Sequence, residues 1–99
     1  MPFTIVIEPD ALTDIQQAID FYDDQQIGLG AKFEAAINRH FSSLKDYPFF
    51  QVRYDDVHCL PVKKYPYMIH FTIDSRDQII SVRAVLHTSR NPDNWGSRK

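Results

Sequence analysis

Residues 60–95 read LPVKKYPYMIHFTIDSRDQIISVRAVLHTSRNPDNW. Tyr67, Ile69, Phe71 and Ile73 alternate with Met68, His70 and Thr72. A polar turn follows at Asp74-Ser75-Arg76-Asp77, and a second alternating run continues to His87. Two period-two runs flanking a short polar segment predict an antiparallel hairpin with a buried face. Strict alternation in the second run puts Ile80, Val82, Ala84 and Leu86 on one face. Ile79, Ser81, Arg83, Val85 and His87 then share the other. On that count Arg83 and His87 lie four residues apart on one face of a central strand, and any active surface is expected there. A polar tail, Thr88 to Lys99, leaves from the same end.

Working outward, the chain before this hairpin also divides cleanly. Phe3, Ile5 and Ile7 alternate with Thr4, Val6 and Glu8, which predicts a first strand over about residues 3–8. Pro9 ends it, and Asp10 is the expected N-cap of a helix starting at Ala11. Leu12, Ile15, Ala18, Ile19 and Tyr22 form one stripe at helical spacing, and Phe33, Ala36, Ile37, His40, Phe41 and Leu44 form a second. Gly28-Leu29-Gly30 lies between them, a connection short enough to demand an antiparallel pair. Gly28 reads as a left-handed helix terminator, and Gly30 as a helix start or a close-packing point. The glycine spacing and the missing lysine argue against a phosphate loop. Tyr47-Pro48 ends the second helix.

Past Phe50 the chain turns to strands: a short one at Val52–Tyr54, a turn at Asp55-Asp56, and another from His58 to Lys64. Pro61 marks an edge or a bulge in it. The order β-α-α-β-β-β-β predicts an α+β two-layer sandwich. It has an N-terminal strand, an antiparallel helical hairpin, then a four-stranded, mainly antiparallel run of sheet. Two contiguous helices seal one face, so the other should be open or covered by a partner. One domain over residues 1–95 and a disordered tail at 96–99 are expected.

Composition narrows the class. Ninety-nine residues hold one core. The single cysteine, Cys59, excludes an internal disulfide framework and fits a reducing compartment. MPFTIVIEPD has no basic leader and reads as a strand, not a signal peptide, and no apolar run approaches the ~20 residues of a membrane helix. A soluble cytoplasmic protein with no membrane role is the expectation. The net charge of −2 conceals an asymmetry. Residues 1–49 carry three Lys/Arg against eight Asp/Glu, a balance of −5, and residues 50–99 carry eight against five, a balance of +3. That argues against non-specific nucleic-acid binding but permits a local contact with RNA or an acidic peptide.

His40, His58, His70 and His87 are spread over four elements without metal-ligand spacing, so neither a metal site nor a cofactor is expected. No nucleophile elbow surrounds a serine. The basic set is the better candidate: Arg53, Lys63, Lys64, Arg83, His87 and Arg90. Several cations and one histidine in a cleft would suit metal-free phosphodiester chemistry, the cations stabilising the phosphate and the histidine moving a proton. The alternative for the same residues is structural, with Arg83 and Lys63 in cross-strand ion pairs and His87 capping the sheet. Trp95 either folds back on the helices or anchors a partner.

Taken in order, these pieces resemble the RelE/ParE toxin superfamily of bacterial toxin–antitoxin modules, and more closely its plasmid-stabilisation, ParE-like branch. The resemblance rests on A-x-x-D-I-x-x-A-x-x-F-Y from Ala11 to Tyr22, G-L-G-x-x-F from Gly28 to Phe33, and Arg53 ahead of Leu60. It continues with Y-P-Y at Tyr65–Tyr67 and A-V-L-H-x-x-R-x-P-x-x-W from Ala84 to Trp95. RelE-like members cleave ribosome-bound mRNA without metal, which would implicate Lys63, Lys64, Arg83 and His87. They tend to carry Tyr-Arg where this chain has Tyr67-Met68, and their C-terminal tyrosine has no clear match. ParE-like members show the aromatic-Pro-Tyr corner and the His…Arg…Pro…Trp tail, and look like DNA gyrase poisons. The resemblance implies a cognate antitoxin whose C-terminal segment wraps the toxin as helix and strand. Arg53, Lys63, Lys64, Arg83, His87, Arg90 and Trp95 are the expected contacts with antitoxin or target. A diverged, non-toxic binding protein of the same fold is the remaining reading, and a homodimer is left open.

Overall fold

The computed structural model describes residues 3–48, 52–54 and 56–88, with the backbone alone described at 52–54. Arg90, Trp95, the 96–99 tail and the Arg53 side chain lie outside the described residues. The elements follow the expected order: β1 (Thr4–Ile7), α1 (Pro9–Gln25), α2 (Leu29–Asp46), β2 (Val52–Tyr54), β3 (Val57–Pro61), β4 (Tyr67–Asp74) and β5 (Ile79–His87). They form one five-stranded sheet in the order β1-β5-β4-β3-β2. β1 joins β5 in parallel, and the other pairings are antiparallel.

Three boundaries differ from the sequence expectation. Gly28, expected to terminate the first helix, is the left-handed N-cap of α2 at φ +96°, and α1 ends instead at an extended Gln26. α1 begins at Pro9 with Glu8 as its N-cap, two residues ahead of the expected Asp10 cap. Proline suits the first helical position because its fixed φ is helical and its missing N–H would have had no partner there. β3 ends at Pro61, so Lys63 and Lys64 sit in the turn that follows and not on the strand. Pro61 lies beyond the residues that pair with β2, where a missing N–H costs nothing. Lys64 there has φ +73°, a left-handed conformation that side chains other than glycine rarely adopt.

The larger difference is in the middle of the central hairpin. β4 and β5 pair as His70↔Ala84 and then Phe71↔Val82, leaving Arg83 as an extra residue on β5. A bulge of this kind shifts the side-chain alternation by one. Ile80 and Val82 point to the helices, and beyond the bulge Val85 joins them, while Ala84 and Leu86 turn to the second face. The expected grouping of Ile80, Val82, Ala84 and Leu86 on one face is therefore broken at Arg83. The second face, expected to be open or covered by a partner, carries buried side chains in the chain itself: Cys59, Met68, His70, Ala84 and Leu86.

Both helices pack on the other face. Ala11, Ile15 and Ala18 of α1, with Phe33, Ala36, Ile37, Phe41 and Leu44 of α2, bury against Leu60, Ile69, Phe71, Ile80, Val82 and Val85. β1 stops at Ile7, so beyond Val82 the outer edge of β5 has no neighbouring strand among the described residues. α1 takes its place there, and the Val85 N–H donates to Asp14 Oδ2 at 3.0 Å. The helical hairpin closes through its second glycine. The Gly30 N–H donates to Asp23 Oδ1 at 2.8 Å, and a Cβ at Gly30 would lie 2.6 Å from the Ile19 carbonyl oxygen and 2.7 Å from Asp23 Oδ1. Gly30 is thus the close-packing point between the helices.

Gly30→Ala should destabilise the protein by about 1–3 kcal/mol, because the obstructing atom is backbone. A melting curve would show it, and a variant as stable as the parent would mean that the helices do not approach this closely.

Candidate functional site

The sequence-predicted residues that the structure describes fall in three separate places. Arg83 projects from the bulge beside the end of β1, where its Nη1 donates to both Glu8 carboxylate oxygens at 3.3 Å. This is the structural alternative for Arg83, reached across a parallel pairing. The pair is half-exposed and adds at most about 1 kcal/mol. The Arg83 Nε, by contrast, is buried with no acceptor among the described residues.

His87 faces the helix layer. Its ring meets Tyr67 edge-on at 5.2 Å and lines a small cavity of about 120 Å³ with Asp14, Gln17, Ala18, Phe21 and Val85. The bulge put it there, since shifted alternation moves every residue after Arg83 to the opposite face. Arg83 and His87, expected to cooperate, thus belong to different surfaces. On the second face, Met68 lies in an apolar cluster with Cys59, Ala84 and Leu86, and the Cys59 Sγ contacts His70 Nδ1 at 3.4 Å.

Lys63 and Lys64 occupy the third place, and it is better built than the sequence suggested. They form one wall of a groove of about 590 Å³ whose other wall is α2, with Lys32, Ala35, Ala36, Arg39, His40 and Ser43, and Tyr65 at the corner. Among the described residues, four cations line it and no carboxylate does. Lys32, Ala35, Ala36, Arg39 and Ser43 share a helix face because they recur at three- and four-residue steps. The turn is held against the helix by one hydrogen bond, in which the Lys63 N–H donates to His40 Nε2 at 3.0 Å. Burial, and then the neighbouring charges of Arg39 and Lys63, push the His40 pKa below its ordinary value, so the ring is neutral and its Nε2 accepts. An aromatic cluster fixes the corner from below. Phe33 meets Tyr65 and Tyr67 at 5.2 Å each and Tyr22 at 5.3 Å. Burial and the other two tyrosines raise the Tyr22 pKa, so its phenol stays protonated and supplies packing instead of proton transfer.

Sequence reasoning missed Lys32, Arg39 and His40. Their helical spacing was visible, but the groove needs a turn from the other half of the chain. Among the described residues no three His, Cys, Asp or Glu side chains group as a metal site, and no helix is long and apolar enough to cross a membrane.

Comparison with known proteins adds the following. A family profile described as the ParE toxin of type II toxin–antitoxin system, parDE, matches residues 5–92. No curated protein sequence matches the chain. Among solved structures, a chain of the chromosomal ParDE system from P. aeruginosa superimposes with a TM-score of 0.77 at 13% identity, over 88% of this chain and 97% of that one. The RelBE2 toxin–antitoxin complex of Mycobacterium tuberculosis gives 0.63 at 17% identity, over 88% and 99%. A mutant of E. coli toxin RelE in the free state gives 0.72 at 11% identity, over 99% and 94%. At these identities the likeness is one of fold.

The hydrogen bond at His40 has a pH signature. The folded-state pKa lies below the ordinary 6.5, so the unfolded chain binds the proton more readily. Stability is full above about pH 6.5 and falls as pH drops from there through the folded-state pKa, as the ring charges and Nε2 ceases to accept. His40→Gln should flatten the melting temperature across this window. An unchanged pH profile in the variant would mean that His40 is not the titrating group.

Proposed function

The chain belongs to the ParE toxin family of type II toxin–antitoxin systems, and from that premise we propose that it acts by binding its target, DNA gyrase, and not by cutting RNA. The observation that carries this reading is the separation of the would-be catalytic groups. Phosphodiester cleavage needs a cation and a proton carrier within hydrogen-bond reach of one phosphate. Arg83 is engaged with Glu8 beside β1, His87 faces α1, and Lys63 and Lys64 line the α2 groove. The histidine in that groove, His40, has its Nε2 occupied by the Lys63 N–H and is engaged in holding the turn. The second face, where a RelE-like enzyme would carry cations, instead holds Cys59, Met68, Ala84 and Leu86. A thioether offers phosphate oxygens nothing comparable to a guanidinium.

The same reading includes a cognate antitoxin and action in the cytoplasm, where gyrase works. An edge strand supports the partner. β1 closes the sheet on one side, and a groove of about 600 Å³ runs beside it between Phe3, Ile5, Ile7 and Phe41. A disordered antitoxin tail that folds on binding would find there both backbone partners and apolar pockets.

Induced expression without the antitoxin should halt DNA synthesis and trigger the DNA-damage response before translation falls, and the purified protein should inhibit gyrase supercoiling. Rapid mRNA cleavage on programmed ribosomes, lost by about 100-fold in Arg83→Ala or His87→Ala, would replace this reading with the ribonuclease. Neither effect, with growth unimpaired, would leave a non-toxic binding protein of the same fold.

A further inference from the structure

The groove between α2 and the β3–β4 turn has a chemistry that gyrase binding does not by itself require. We propose that it is a docking site for an acidic peptide segment, one that sets carboxylates on either side of a small apolar side chain. The reading of the chain as a toxin with a cognate partner supplies the source of that segment, the antitoxin.

Three observations carry the proposal. The first is charge. Lys32 and Arg39 stand on one wall, two helical turns or about 10 Å apart along the axis, and Lys63 and Lys64 stand on the other, with no acidic side chain among the described lining residues. Cations crowded without counter-charges repel one another, and an anionic ligand relieves that repulsion.

The second is the backbone at Lys64. It is a non-glycine residue at φ +73°, in a turn where glycine or asparagine would be less strained. The strained conformation places a lysine on the wall of the groove, and the Lys63 N–H bond to His40 fixes the turn in position. Strain held in place by surrounding structure is the pattern of a functional site.

The third observation separates a peptide from a nucleic acid. The groove is lined in part by Ala35, Ala36 and Tyr65. A side chain of an incoming peptide can bury there, whereas a sugar–phosphate backbone has nothing apolar to offer it. Tyr65 is already engaged at near-perpendicular angles with Phe33 and Tyr22, which leaves less of its ring for stacking on bases. The chain as a whole carries −2, and its first half −5, so a long polyanion meets repulsion beyond the groove that a short acidic segment does not.

The test uses the full chain and two probes, a fluorescein-labelled alanine/glutamate helical peptide and a single-stranded DNA oligonucleotide of equal charge. Anisotropy at low salt should show saturable peptide binding that DNA displaces poorly. Binding should weaken by about tenfold in Arg39→Gln/Lys63→Gln. Lys32→Gln/Lys64→Gln serves as an independent pair, and unchanged melting curves confirm that both variants fold. Tighter DNA binding through the same residues, or peptide binding indifferent to both pairs, overturns the proposal. In parallel, the product of the native operon should show hydrogen-exchange protection at residues 32–43 and 62–65 relative to the lone chain. Protection confined to other residues counts against the groove. Failure to recover any partner defeats the partner reading, and the peptide measurement still decides the groove.

Discussion

The extra residue at Arg83 governs the arrangement of side chains across the sheet. β5 is a central strand, paired with β1 on one side and β4 on the other. A one-residue slip in a strand of that kind reassigns every side chain after it. Before the slip, Ile80 and Val82 face the helices; after it, Val85 and His87 do, and Ala84 and Leu86 close over Met68 and Cys59. Without the slip, Val85 and His87 would lie on the second face with Arg83, and Ala84 and Leu86 would face α1. The bulge therefore separates an apolar second face from a helix-side surface and parts Arg83 from His87.

The helix layer depends on the same geometry. Past the end of β1, Asp14 accepts the Val85 N–H and so fixes α1 along the open edge of β5. A buried N–H without an acceptor would cost about 1–3 kcal/mol. α1 then brings Tyr22 to Phe33, Tyr65 and Tyr67, joining both helices to the β3–β4 corner. Aromatic pairs of this kind contribute about 0.5–1.5 kcal/mol each beyond their buried area. Thr88 closes the corner from the other end, its N–H donating to the Pro66 carbonyl at 2.8 Å. The basic groove is therefore a product of packing: the corner carries Lys63 and Lys64, α2 carries Lys32 and Arg39, and the aromatic cluster holds the two together.

Local signals made the fold legible. The helical stripes, the left-handed glycine between them, the Tyr65-Pro66-Tyr67 corner and the alternation about Asp74 each act over a few residues, and together they specify the β-α-α-β-β-β-β order. What the sequence concealed acts over long separations or leaves no local mark. The bulge has no glycine or proline to announce it, because Arg83 tolerates the position with its side chain paired to Glu8. Asp14 and Val85 are 71 residues apart, and no periodicity links a helix carboxylate to a strand N–H. Counting charge by halves hid the groove: Lys32 and Arg39 were averaged with eight carboxylates, while their partners Lys63 and Lys64 were counted in the other half. Alternation extends β3 through Lys63 and Lys64, whereas the strand stops at Pro61 and both lysines are turn residues that line the groove with α2.

The division of the sheet into two unlike faces by the slip at Arg83 is most directly tested by nuclear Overhauser contacts in methyl- and aromatic-labelled protein. The account predicts contacts from the His87 ring to Phe21 and Ala18 of α1, and from the Ala84 and Leu86 methyls to the Met68 methyl. Contacts from Ala84 or Leu86 to α1, with His87 instead near Met68, would contradict it and return Arg83 and His87 to a common face.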